Sequence, residues 1–298
     1  SRAESLPTPA VTTQAAASNN NRRTSFFVSG GSLAAIVLAD INLRQAFVRA
    51  TLTFPSSLAG MVGLFVGLVA LERVAPSSAE KAVGILEPGS AVLTRWLPVF
   101  FAPSLVVLPL SPALTSTNAL KLSLLVCGGW FFSLASTAAV VTTLSPADAP
   151  PSRKPAVAAA ASLFRAPLIL GLGVGAALSG VLAVAGAASG KVAPGALLAK
   201  LSKPAAQLSL LLATLFGFTA GTRAPRRVSK AVHPVVTCAA VTMATAAAIG
   251  KGVGVGFTDM LRSYLTKSRC PVHLGAGDLL LGLLGPSVLS FAVQMYRR

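Results

Sequence analysis

Acidic side chains are nearly missing from this sequence, with 8 Asp and Glu against 25 Lys and Arg in 298 residues. Charge of either sign is scarce at 11%, where a soluble domain carries about a quarter. The hydrophobic fraction is 53% and the mean hydropathy +0.73, so water is not the main solvent of the folded chain. Cysteine is equally sparse. Cys127 and Cys238 lie in apolar runs and read as buried small hydrophobes, Cys270 sits in a connector beside Pro271, and no CxxC pair supports a metal or redox centre. HExxH, GxSxG and GxxxxGK[ST] are absent, as is any pair of acids within one apolar run. Hydrolase, metalloenzyme and nucleotide-driven pump chemistry therefore lack their working parts, and no catalytic residue, metal ligand or cofactor is expected. The net charge of +17 raises nucleic acid as a partner, but no aromatic-interleaved basic platform is present. Basic residues such as Arg223, Arg226, Arg227 and Lys230 stand in connectors, where the expected partners are membrane lipids rather than nucleic acid.

What the sequence does hold is a series of apolar runs. They cover Phe26–Ala39, Phe54–Leu71, Ala91–Leu110, Ala119–Leu144, Ala166–Ala188, Leu208–Ala220, Ala231–Gly250 and Leu274–Tyr296. This predicts an all-α, polytopic transmembrane helical bundle of about eight spans in two halves. The first run contains Ser29, Gly30, Gly31 and Ser32 and spans only if tilted or extended. Gly60, Gly63 and Gly67 offer small residues for close helix packing in the second. Pro98, Pro103 and Pro109 should kink or break the third. Gly171, Gly173 and Gly175 follow no strand and read as a packing feature.

Residues 1–25 are rich in Ser, Thr, Ala and Asn and carry Arg2, Arg22 and Arg23 with Glu4 as their one acid. That composition is similar to an organellar transit peptide, with a disordered tail as the alternative. Residues 145–165 combine Pro146, Pro150, Pro151 and Pro155 with Arg153 and Lys154 and read as a linker. The expected organisation is a leader at 1–25, a membrane domain at 26–144, a linker with one extra span at 145–204 and a second membrane domain at 205–298. Basic residues occur in nearly every connector, so loop charge does not fix the orientation. The absence of an initiator Met, and Arg297 and Arg298 directly after the last run, lead to the expectation of a processed or partial chain.

An acid inside an apolar segment is costly and asks for a reason. Asp278, in Gly275-Ala276-Gly277-Asp278-Leu279-Leu280-Leu281, is the deepest-placed candidate, and near a helix start it serves equally as a cap or dipole charge. His233, beside Pro234, and His273 read as proton relays or as interfacial polar residues. Proline and hydroxyls open or break helices at Phe54-Pro55-Ser56-Ser57, Leu97-Pro98 to Pro103-Ser104, and Leu284-Gly285-Pro286-Ser287. Bare helix N–H groups at bilayer depth can hold an anion, simple kinking being the alternative. The candidate substrate-binding residues are thus Ser56, Ser57, Ser104, His233, Asp278 and Ser287.

Several of these stretches together resemble the LrgA/LrgB membrane family, particularly its plant and algal fusions. Phe54-Pro55-Ser56-Ser57-Leu58-Ala59-Gly60-Met61 is similar to the proline-containing opening of an LrgA helix, and Trp96-Leu97-Pro98-Val99-Phe100-Phe101-Ala102-Pro103-Ser104 to its later Phe/Pro segment. His233-Pro234 resembles the Asn-Pro start of an LrgB helix, and Leu283 to Tyr296 resembles the Leu-Gly-Pro signature of LrgB. The likeness covers about 26–144 and 205–298, and LrgB halves continue through further helices, so the resemblance implies an incomplete second half. It also implies a plastid inner-envelope carrier that exports glycolate and admits glycerate in photorespiration; alternating access around a mid-membrane site is the expected mechanism. Glycolate, glycerate and lipids are then the partners, with homo-oligomerisation and proton coupling left open. Bacterial relatives imply a different reading, a holin-like regulator of murein hydrolase export or cell lysis.

Overall fold

The computed structural model describes residues 9–113, 115–144, 166–192, 197–225, 232–266 and 274–297, with side chains chiefly from Val28 onward. The 145–165 linker, Arg226, Arg227, Lys230, Cys270, Pro271, His273 and Arg298 lie outside the described residues, as do the first eight residues of the leader.

Every regular element among the described residues is helical. In chain order these are α1 (Pro9–Arg49), α2 (Ser56–Val74), α3 (Pro76–Phe100), α4 (Ala102–Val106), a 3₁₀ turn (Leu108–Leu110), α5 (Ser116–Leu144), α6 (Ala166–Val192), α7 (Leu197–Thr222), α8 (Pro234–Val253), α9 (Phe257–Tyr264), α10 (Ala276–Gly282) and α11 (Leu284–Tyr296). Eight stretches are long and apolar enough to cross a bilayer, α3 with α4 and the turn forming one and α10 with α11 another. In lipid each backbone N–H and C=O must find a partner within the chain, which helices provide locally. The chain is an all-α polytopic helical bundle.

Local chemistry explains where the helices depart from the apolar runs. The first span extends past Ala39 to Arg49, 22 residues from Val28, because Asp40 is neutralised inside the helix rather than ending it. Lys200 and Lys203 lie in the first turns of α7 rather than in a connector. The third run breaks as its prolines require: α3 ends at Phe100, two residues past Pro98, and α4 runs only from Ala102 to Val106. Gly254, at φ 79, ends α8 in the left-handed conformation that glycine adopts without penalty, and its N–H returns to the Gly250 carbonyl. The amphipathic α9 follows, burying Met260, Leu261 and Tyr264 while Asp259 and Arg262 stay exposed.

Two packing units emerge. In one, α6, α7, α8 and α9 surround Ala183, Leu210, Ala239, Ala246, Ile249, Leu261 and Tyr264. In the other, α11 lies among α1, α2 and α3, with Leu68, Val83 and Val293 meeting at one end and Ile36, Leu93 and Leu289 nearer the middle. The last helix is thus packed within the first half, so the halves expected at 26–144 and 205–298 interlock. Phe218, Val235 and Cys238 join the same central cluster and weld the two units together.

Helix α5 buries none of its span against the rest of the described chain. This corrects the expectation for Cys127, which is exposed on α5, whereas Cys238 is buried and donates from Sγ to the Thr214 carbonyl at 3.0 Å. Glycine packing on α2 also differs from expectation. A Cβ at Gly60 would collide with the Leu43 side chain, but Gly63 and Gly67 face open space. Close backbone approach is found instead at other helix pairs, among them α1 and α3, where a Cβ at Gly89 would lie 2.6 Å from the Leu33 amide, and α7 and α8, where a Cβ at Gly217 would lie 2.9 Å from the Cys238 backbone. Between the Gly217 and Cys238 helices the approach is polar as well as close. At that contact a buried hydroxyl chain links three helices: Thr242 Oγ1 donates to Thr214 Oγ1 at 3.1 Å, and Thr214 pairs with the Tyr264 hydroxyl at 3.2 Å. Burial pushes the Tyr264 phenol well above its usual range, so the group stays a neutral hydroxyl.

Substituting Gly217→Leu forces backbones apart at a fixed contact and should cost about 1–3 kcal/mol. Gly63→Leu meets nothing and should be neutral. Thermal melting of the detergent-solubilised variants checks the contrast, and equal losses at both positions would contradict this packing.

Candidate functional site

The region where α1, α2 and α11 converge begins with a residue outside the candidate set. Asp40 lies within the span Val28–Arg49 and is 1% exposed. At 1.5 Å per residue it sits about 13 Å below the end of α1 at Arg49. One turn further on, Arg44 Nε approaches Asp40 Oδ2 at 2.7 Å, and the Ser57 hydroxyl donates to Oδ1 at 2.9 Å. Both carboxylate oxygens are therefore engaged, one by an ion pair and one by a hydroxyl. The arrangement is asymmetric, since the Asp40 side chain is 2% exposed and that of Arg44 46%.

Ser57 reaches this depth because α2 starts there. The chain leaves α1 through Thr51, at φ 52, returns as the exposed segment Leu52–Phe54 and enters α2 behind Pro55. Proline suits this place, having no N–H to lose at a helix start. Helix geometry leaves the Ser56 and Ser57 amides without an intrahelical acceptor, while Leu58 and Ala59 both bond back to the Pro55 carbonyl at 3.1 Å.

A second discontinuity meets the first. Between α10 and α11, Pro286 cannot donate to the Gly282 carbonyl four residues earlier, and the helix is interrupted at Leu283. Ser287 reinforces the restart by donating from both its N–H, at 3.1 Å, and its Oγ, at 2.7 Å, to the Leu283 carbonyl. Gly285 lies against the ion pair: a Cβ there would stand 2.7 and 2.8 Å from the two Asp40 carboxylate oxygens and collide with Arg44 Nη2. Only a glycine lets α11 approach this closely.

Beside these elements is an open groove of ≈ 1310 Å³, lined among others by Asp40, Arg44, Arg49, Ser56, Ser57, Asp278, Gly282 and Gly285. It combines a half-exposed guanidinium, hydroxyls and two helix breaks with apolar walls from Val48, Leu52, Phe54 and Leu283. Such a surface can hold a small anion that also carries a hydroxyl or carbon skeleton.

Of the candidate residues, Ser56, Ser57 and Asp278 line this groove, and Ser287 is buried in the α11 turn just behind it. Asp278, the third residue of α10, reaches back to the N-cap backbone. Its Oδ2 accepts from the Gly275 N–H at 2.9 Å, the Thr266 N–H at 3.0 Å and the Thr266 hydroxyl at 2.6 Å, tying the start of α10 to the end of α9. The other two lie apart from the groove. Ser104 is exposed on α4, and His233 caps α8 by accepting the Val235 N–H on Nδ1 at 3.3 Å. Asp40 and Arg44 lie just past the first apolar run, which ends at Ala39, and so escape the hydropathy pattern. The signal available was their four-residue spacing, which places an acid and a base on one helix face.

Residues 45–141 match the LrgA family. Over 276 residues the chain is 34% identical to plastidal glycolate/glycerate translocator 1, chloroplastic, of Arabidopsis thaliana, covering 90% of this chain and 50% of that protein. The chain thus spans about half the length of the curated relative it matches. No solved structure matches it.

Removing the cap with Asp278→Ala should lower stability by about 1–3 kcal/mol, because it leaves two amides and a hydroxyl without their acceptor. His233→Ala should cost about 1 kcal/mol through its cap alone. Chemical or thermal unfolding in detergent measures both; a neutral Asp278→Ala would contradict the capping role.

Proposed function

We propose, for a chain that carries an LrgA-family segment and follows a plastidal translocator along most of its length, a carrier of small 2-hydroxy monocarboxylates across the plastid inner envelope, glycolate leaving and glycerate entering for photorespiration. The observation that carries the reading is the convergence of the Asp40–Arg44 pair, the α2 start and the α10–α11 break on one groove inside the span of α1. Transporters that hold carboxylates commonly use interrupted helices at this depth, where unpaired N–H groups and a cation replace the anion's hydration. The arrangement suits a carrier, since a guanidinium, hydroxyls and two helix breaks face one groove and can hold a small anion.

In this reading Arg44, the Ser56–Ser57 amides and the Ser56 hydroxyl contact the carboxylate, while the Ser57 hydroxyl holds Asp40, Asp278 and Ser287 hold the two breaks in place and His233 and Ser104 serve packing. The first half corresponds to the LrgA-like domain at 26–144 and the second to the LrgB-like domain at 205–298, joined by the 145–204 segment. Transport follows as alternating exposure of the groove through movement of α10–α11 against α1–α2. Lipids surround the bundle, with α5 as the most fully exposed apolar surface.

Proteoliposomes containing the full-length protein should show saturable uptake of labelled glycolate that is accelerated by internal glycerate. Absence of counter-exchange would sink the carrier reading, and simultaneous leakage of unrelated solutes would identify a holin-like pore instead.

A further inference from the structure

Resting on that carrier reading, we propose that Asp40 is a built-in competitor for the substrate's carboxylate on Arg44 and makes the groove selective for monoanions over dianions. The geometry divides the guanidinium in two. Nε is held by Asp40 Oδ2 at 2.7 Å, on the buried side, whereas the side chain as a whole remains 46% exposed and lines the groove. An arginine offers five N–H donors in a planar fork; with Nε on Asp40 and Nη2 lying against Gly285, Nη1 is the arm left to meet a second carboxylate. An entering carboxylate thus shares Arg44 with Asp40 rather than finding an isolated cation.

Charge balance then sets the selectivity. The charged side chains lining the groove are Arg44 and Arg49 on one side of the balance and Asp40 and Asp278 on the other. Asp278 is committed to the Gly275 and Thr266 donors. One bound monoanion adds a single negative charge next to a neutral pair. A dianion brings its second carboxylate close to Asp40, which is fixed by Ser57 at 2.9 Å and backed by the α11 backbone at Gly285, so it cannot turn away. Next to a carboxylate buried to 2% exposure, and so little screened by water, a second like charge is disfavoured. Asp40 is therefore a specificity-determining residue, present less to bind the substrate than to exclude a more highly charged one.

Glycerate and tartronate test this, since both are three-carbon 2-hydroxy acids and tartronate carries the second carboxylate. Equilibrium binding of each labelled acid to the purified full-length protein is measured beside counterflow in proteoliposomes. Wild type should prefer glycerate by about tenfold or more, and Asp40→Asn, which preserves shape and an acceptor for Ser57, should lose most of that preference. Asp40→Glu should retain it, and Arg44→Gln should abolish binding of both acids. Monodisperse elution and an unchanged melting temperature establish that the variants are folded. Undiminished preference in a folded Asp40→Asn, undiminished binding in Arg44→Gln, or no glycerate binding by wild type overturns the proposal. Binding with the expected pattern but without counterflow sustains the selectivity role and overturns the carrier reading alone.

Discussion

A carboxylate held at 1% exposure within a membrane-spanning helix has to be compensated where it lies, and the compensation of Asp40 governs the architecture around it. Arg44 supplies the charge from the next turn of the same helix, which lets α1 continue to Arg49 as one span. Removing one ion from water costs several kcal/mol even after relaxation, and a single ion pair does not recover that unless the remaining lone pairs are also satisfied. The Ser57 hydroxyl satisfies one of them, but only because α2 begins far below the end of α1. Gly285 permits the third wall, since any side chain there would displace the pair. The re-entrant start of α2, the glycine in α11 and the break before it thus surround one buried charge.

Much of this was legible in the residues. Run lengths gave the helical class and the eight spans, and Pro98 and Pro103 marked the broken third span, because a missing N–H has the same consequence in every context. The serines after Pro55 and the Leu284–Ser287 turn pointed to the two discontinuities that meet at the groove. What hydropathy concealed was anything dependent on a partner. Asp40 lowers the local average and reads as a boundary, although Arg44 cancels its charge one turn away. Asp278 stands out for the same reason, yet its oxygen is occupied by the α9–α10 connection. Gly60 and Gly63 look alike in sequence and differ only in whether another helix passes in front of them. Ser104 and His233 sit in motifs as suggestive as that of Ser57, but tertiary packing leaves both away from the groove.

The contacts along α11 are unequal, and that inequality has a mechanical meaning. Away from the groove α11 is fastened to α3 by polar groups: Ser290 Oγ lies 3.2 Å from Thr94 Oγ1, Gln294 donates to the same Thr94 oxygen, and Arg297 pairs with Glu87 at 2.6 Å. Hydroxyl and amide contacts of this kind are discrete, since they either form or are exchanged for others. At the groove end α11 instead abuts the ion pair through a bare glycine and connects to α10 through an interrupted turn, with no side chain of its own at Gly285 to lock it. A helix fixed at one end by specific bonds and joined at the other through a proline break bends most readily at the break. In the proposed carrier, a ligand that altered how Arg44 is shared with Asp40 would act on that break directly, because the Gly285 backbone rests on both side chains. The buried charge that the helix breaks surround is thus placed directly against the α10–α11 break.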